Sequence, residues 1–164
     1  VRASVVPVEA HQVLEVDYGK DLRLLDSPLR PEPPEIRTVR RARPQSAQSI
    51  DVLIPFRINS HELMGNGPSL LSALAVALRE PGREKIRFSV NGHTDTRTGS
   101  RAFNMALSKL RAISVMRFLV QQGDIPLTRL EGRAYGPNNP RFSEDTAGGI
   151  AANRRVEFEL LPAR

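Results

Sequence analysis

One arginine, Arg111, falls on what should be the buried side of a helical stretch and is flanked by the apolar Leu110 and Ala112. Residues 101–122 read as one long helix, with Ser100 as its N-cap and Gly123 as its C-terminal stop. At about 100° per residue, one face collects Asn104, Leu107, Ser108, Arg111, Val115, Phe118 and Leu119. The aliphatic and aromatic members of that face must lie on a sheet. A guanidinium among them cannot stay desolvated without a partner. The opposite side carries Leu110, Ile113, Met116 and Val120, which a two-layer domain leaves wet. Either residues 1–48 fold over that side or another protein does.

The rest of the chain supplies the sheet. Ser49–Ile58 is β-branched and apolar and reads as the first strand, followed by a turn at Asn59 and Ser60. Leu70, Leu71, Leu74, Ala75 and Leu78 give residues 69–79 a helical stripe, ended by Pro81 and Gly82. In residues 85–91, Ile86, Phe88 and Val90 alternate with Arg87, Ser89 and Asn91, as a strand requires. Residues 129–135 and 155–161 complete the strands, separated by the turn 136–140 and a loop at 143–152 with at most one helical turn. The order is β-α-β-α-β-β. It predicts a two-layer α+β domain with helices on one face of a mixed four-stranded sheet. Residues 49–164 form that domain, and residues 1–48 an N-terminal segment or linker.

Within that segment, Val5, Val8, Val13, Leu14 and Val16 suit a short strand or a turn of helix. Pro28, Pro31, Pro33, Pro34 and Pro44 then break any regular element. Arg37, Arg40, Arg41 and Arg43 make the linker basic, either as a solvated tether or as a contact with lipid or polymer.

Several chemistries are excluded or unsupported. The chain has no cysteine, so it forms no disulfide, thiolate metal site or cysteine nucleophile. No apolar run approaches the roughly 20 residues of a membrane span. The N-terminus lacks the charged and apolar regions of a signal peptide, as in a mature fragment or a cytosolic chain. His61 and His93 are candidate bases and Asp95 or Glu62 candidate acids, yet no nucleophile motif, metal-binding pair or phosphate loop accompanies them. No catalytic residue, metal ligand or cofactor is therefore assigned. The net charge of +6 points to acidic partners. Nucleic acid is disfavoured because Phe88 and Phe158 fall in core registers, Tyr135 lies at a strand end and tryptophan is absent.

The loop after the second strand brings Asp95 to the same end of the layer as Arg111. Two roles fit. The pair closes the sheet edge as a salt bridge, or both groups line a cleft that holds a zwitterion. In the second case Asp95 accepts from an ammonium and Arg111 grips a carboxylate bidentately.

Five blocks then align with one family: Phe56, Ser60 and Leu63; Gly92-His93-Thr94-Asp95; Gly99 with Asn104, Leu107, Ser108, Arg111, Ala112 and Val115; Arg129 with Gly136; and Asn153-Arg154-Arg155-Val156-Glu157. Together these resemble the OmpA-like peptidoglycan-binding domain of the OmpA, MotB and peptidoglycan-associated lipoprotein family, over about residues 49 to 161. The resemblance implies a non-catalytic domain in the periplasm of a Gram-negative envelope. It would bind the stem peptide of peptidoglycan at diaminopimelate and anchor an envelope protein or complex to the wall. Asp95 would take the ligand's ammonium and Arg111 its carboxylate, with Thr94, Asn104, Leu107, Asn59, Ser60, Asn153 and Arg154 lining the pocket. The loop from Asp95 to Gly99 is one residue longer than the family spacing. Ile150 stands where members commonly carry arginine, and Arg57 and Asn59 stand where acidic residues are frequent. The alternative role is a scaffold that docks another envelope protein or a second copy of this chain without holding the wall.

Overall fold

A computed structural model describes residues 13–26 and 49–162 of the chain. Val5, Val8, the prolines at 28–44 and the basic run 37–43 lie outside the described residues. The elements in order are β1 (Leu14–Val16), α1 (Tyr18–Asp21), a 3-10 turn (Leu22–Asp26), β2 (Ser49–Pro55), α2 (Gly67–Leu78), β3 (Phe88–His93), α3 (Arg101–Gln121), a 3-10 turn (Leu127–Arg129), β4 (Leu130–Gly136), α4 (Ala147–Asn153) and β5 (Arg155–Leu160).

One sheet holds all five strands in the order β1-β4-β3-β5-β2. β3 and β4 run parallel, with α3 as the crossover between them, while the other three pairings are antiparallel. The expected mixed sheet with its packed helices is present, with one strand more than the four read from sequence. The extra strand is β1, whose Leu14, Glu15 and Val16 pair with Ala134, Arg133 and Gly132 of β4. Three residues carry too little periodicity to be read as a strand. Only the edge of β4 makes them one.

Burial follows the alternation along the strands. Phe88, Val90, Val156 and Phe158 meet Ala112, Val115, Met116 and Leu119 of α3 and Leu71, Leu74, Ala75 and Leu78 of α2 in the main core. Phe88 and Phe158 are both fully buried and stand edge-to-face with ring centroids 5.7 Å apart. On the opposite face, Arg87, just before β3, bonds Glu131 of β4 at 2.7 Å, and Arg133 of β4 lies 3.7 Å from Glu159 of β5, reaching across β3.

The second apolar side of α3 is covered from within the chain. Leu110 and Ile113 cluster with Leu25, and Val16, Tyr18, Leu22 and Leu24 pack around them. A Lys109–Asp21 ion pair at 3.0 Å fastens the rim of this contact. Residues 14–26 thus supply the cover that the apolar pattern of α3 demands. Met116 belongs instead to the main core.

Three boundaries moved for local reasons. β2 stops at Pro55 because its partner β5 begins at Arg155, and Pro55 has no amide to extend the ladder. β3 starts at Phe88 because the Ile86 amide is taken by a turn to the Arg83 carbonyl. The expected single turn near residue 150 is the seven-residue helix α4, capped by Thr146 Oγ1 accepting from the Gly149 amide at 3.0 Å.

α3 approaches β3 most closely at Gly92, where a Cβ would stand 1.9 Å from the Ser108 carbonyl oxygen. The obstacle is backbone and cannot rotate away. Gly92→Ala is therefore expected to cost about 1–3 kcal/mol through forced separation of helix and strand. A lower urea midpoint at unchanged slope checks this, and an unchanged midpoint would contradict it.

Candidate functional site

Arg111 sits where α3 crosses the end of β3, and its side chain is fully buried. Its guanidinium donates in three directions, each to a backbone carbonyl. Nε bonds Ser60 at 2.9 Å, Nη1 bonds His93 at 3.0 Å and Nη2 bonds Arg57 at 2.9 Å. The ring of Phe56 lies beneath it, 5.2 Å from centroid to Cζ. The carbonyl dipoles replace the water that burial removed. Burial still pushes its pKa down to about 9, the nearby Arg154 charge adding to the shift and Asp95 opposing it. At neutral pH the group remains a cation. It ties α3 to the turn 57–60, where Asn59 has the left-handed φ of 53°.

Asp95 is 2% exposed and its carboxylate is saturated. Oδ1 accepts from the Arg97 amide at 2.9 Å and the Thr98 amide at 2.7 Å, and Thr98 Oγ1 lies 2.8 Å from both oxygens. This is the turn that an Asp followed by Thr at the third position makes with its own backbone. Oδ2 also accepts from Arg154 Nε at 2.8 Å. Asn104 steadies the loop by donating to the Thr98 carbonyl at 2.7 Å. Burial raises the Asp95 pKa, but the bonds from Arg154, Thr98 and the Arg97 amide outweigh it and leave the carboxyl below its ordinary 3.8.

The acid from the β3 loop and the base from α3 thus reach one end of the sheet, but the ion pair that forms is Asp95–Arg154. One carboxylate and two guanidiniums share the region, and Arg154 and Asp95 act in opposite senses on Arg111. Arg154 follows α4, is 18% exposed, and touches Asp95 through Nε alone. Among the described residues neither of its terminal amino groups makes a hydrogen bond.

The remaining residues divide. Thr94 and Leu107 are buried, and the Thr94 amide bonds the Gly136 carbonyl at 3.0 Å. Ser60 reaches Arg111 through its carbonyl, while Asn59 is exposed on the turn. Asn153 is fully buried and turned to a different task. Its Oδ1 accepts from the Arg141 and Phe142 amides, and its Nδ2 donates to the Phe142 carbonyl and Glu144. A cavity of about 220 Å³ lined by Asn139, Pro140, Arg141, Arg155 and Glu157 includes neither Asp95 nor Arg111.

Two residues were not singled out from sequence. Thr98 had a readable signal in its spacing from Asp95. Glu144 had none, because it acts across 48 residues of sequence. It accepts from the Thr96 amide at 2.9 Å and from Thr96 Oγ1, lies 3.7 Å from Arg97 Nε, and accepts from Asn153. It fastens the 95–99 loop to the loop before α4.

The histidines hold structural contacts. His93 ends β3, is buried, stacks on Tyr135 with centroids 5.0 Å apart, and has Nε2 3.7 Å from Glu157. His61 Nδ1 lies 3.3 Å from Ser114 Oγ, and burial lowers its pKa.

A pH dependence follows from Asp95. Its folded pKa lies below the unfolded 3.8, so its stabilising contribution is complete above that value. It is lost as pH falls through the folded value. Urea midpoints between pH 7 and 2 should therefore fall less steeply below pH 4 in Asp95→Asn than in wild type. Parallel acid limbs would contradict the depressed pKa.

Residues 55–154 match the OmpA family. The chain is 39% identical over 109 residues to a probable lipoprotein, YiaD, of Escherichia coli K12, covering 66% of this chain and 48% of the relative. It is 39% identical over 92 residues to the peptidoglycan-associated lipoprotein of Pseudomonas aeruginosa, covering 56% of this chain and 54% of the relative. The chain thus spans about half the length of these curated relatives. The crystal structure of the peptidoglycan-associated lipoprotein from Burkholderia pseudomallei shares the fold, with a TM-score of 0.60 at 24% identity over 66% of this chain and 89% of that one. The family match runs through β3, α3 and α4 and takes in Asp95, Arg111 and Arg154. The chain belongs to the OmpA family.

Proposed function

We propose that this domain binds peptidoglycan noncovalently through the diaminopimelate of the stem peptide, and so anchors an envelope protein or complex to the wall in the periplasm of a Gram-negative bacterium. The observation that carries this is the convergence of Asp95, Arg111 and Arg154 at one end of the sheet, inside the span matched to the OmpA family. A carboxylate beside two guanidiniums complements a carbon bearing both an ammonium and a carboxylate. Asp95 takes the ammonium and Arg111 the carboxylate. Ser60 and Asn59 border the site on the β2 side, Thr94, Asn104 and Leu107 on the α3 side, and Arg154 on the α4 side, with Asn153 behind it bracing the loop before α4. The domain performs no chemistry on the polymer. Its excess of positive charge steers it toward an acidic wall.

Relatives named as peptidoglycan-associated lipoproteins support the choice of ligand. The scaffold alternative drew on the basic linker and on the second apolar side of α3, and residues 14–26 already occupy that side at Leu110 and Ile113.

Cosedimentation with purified sacculi tests the proposal. Wild type should bind saturably, and Asp95→Ala should bind at least about tenfold more weakly, as expected for loss of a charge-assisted contact. Arg111→Lys keeps the charge but cannot span three carbonyls, and should lose binding together with some stability. Wild-type affinity in a folded Asp95→Ala protein would sink the clamp.

A further inference from the structure

We infer that Arg154 is an internal counter-ion of Asp95 that a ligand's cation must displace, so that recognition at this site is an exchange of one cation for another. The inference rests on the wall-binding proposal above.

The contacts of Asp95 fall into two kinds. Those from the Arg97 amide, the Thr98 amide and Thr98 Oγ1 are local, lying within three residues of Asp95. They come with the loop and are independent of any ligand. The contact from Arg154 is the one brought by a distant element, 59 residues away in sequence. It is therefore the one that can be exchanged while the loop keeps its shape.

Arg154 is built to leave. It holds Asp95 through Nε alone, at 2.8 Å, and its terminal amino groups have no hydrogen-bond partner among the described residues. Its side chain is 18% exposed, against 2% for that of Asp95. Arg111 is the contrast, with three carbonyl bonds and no exposure. Of the two guanidiniums, one is a fixture and the other is on a free arm.

Charge decides which ligands can open the site. Arg154 cannot simply swing away, because a buried carboxylate left without a cation is strongly disfavoured. A ligand with a carboxylate alone offers no replacement. A ligand with an ammonium does, and the charge balance at Asp95 is the same before and after. Selectivity for a zwitterionic centre over a plain acid then comes from the latch as well as from the contacts.

The experiment compares sacculus binding by wild type, Asp95→Ala, Arg154→Gln and Arg154→Lys, with the fold of each checked by circular dichroism. Arg154→Gln leaves Asp95 open and should bind up to about tenfold more tightly than wild type, because the closed form no longer competes. Arg154→Lys restores a cation on Asp95 and should return affinity to near wild type. Weaker binding by Arg154→Gln would make Arg154 a ligand contact and overturn the exchange, as would an unchanged affinity. Failure of the folded wild type to bind would remove the wall-binding proposal and the exchange with it. On the wild type itself, the Arg154 Nε–Hε resonance should lose its bonded shift as a soluble diaminopimelate-containing muropeptide is added. A resonance that stays put at saturation overturns the exchange even if Arg154→Gln does not fold.

Discussion

The three hydrogen bonds from Arg111 to the carbonyls of Arg57, Ser60 and His93 hold this end of the domain together. Each acceptor is main chain and two different elements supply them, the turn after β2 and the last residue of β3. A guanidinium is the one side chain with enough rigid, divergent donors to meet all three at once. Burying it without such acceptors would cost several kcal/mol. The position of α3, the close contact at Gly92 and the path of the turn 57–60 are consequences of satisfying one cation. Arg129 repeats the device at the other end of β3, donating to the carbonyls of Leu78, Arg83 and Ile86.

Much of this was legible because it is local or periodic. The stripes of α2 and α3, the alternation around Phe88 and Phe158, and the oddity of Arg111 on an apolar face are all present in short windows of sequence. That α3 needs partners on both sides was also readable, from Leu110 and Ile113 facing away from Leu107 and Val115. What could not be read is contact between loops. Asp95 was placed at the right end of the sheet, yet nothing in spacing favours Arg154 over Arg111 as its partner. The choice depends on how α4 delivers residue 154. Glu144 and Asn153 escaped notice in that role for the same reason, since they join loops whose mutual distance only the closed sheet defines. β1 is legible only as an edge, because three residues become a strand when β4 offers them a ladder.

The charges divide into those that build the site and those that are available to a partner. Arg111 is fully buried and commits three of its five N–H donors to the chain itself. Asp95 is held by its own loop, so its orientation does not depend on what binds there. Arg154 alone combines a single bond with partial exposure. A carboxylate fixed by its own loop and a guanidinium held by one bond confine any rearrangement at this pair to one side chain.

The order of strands has a consequence for how the domain comes into being. β5 is the last described strand in the chain, yet it lies between β3 and β2 in the sheet. Among the described strands, β2 pairs with β5 alone. The earliest of the long strands therefore waits for the latest, and the sheet cannot grow by adding strands in the sequence they are made. Such long-range pairing slows folding and makes it cooperative. It also times the site, because Arg154 meets Asp95 only as β5 enters the sheet. A chain caught partway has no Asp95–Arg154 pair, so that contact arrives in one step with the closing of the fold.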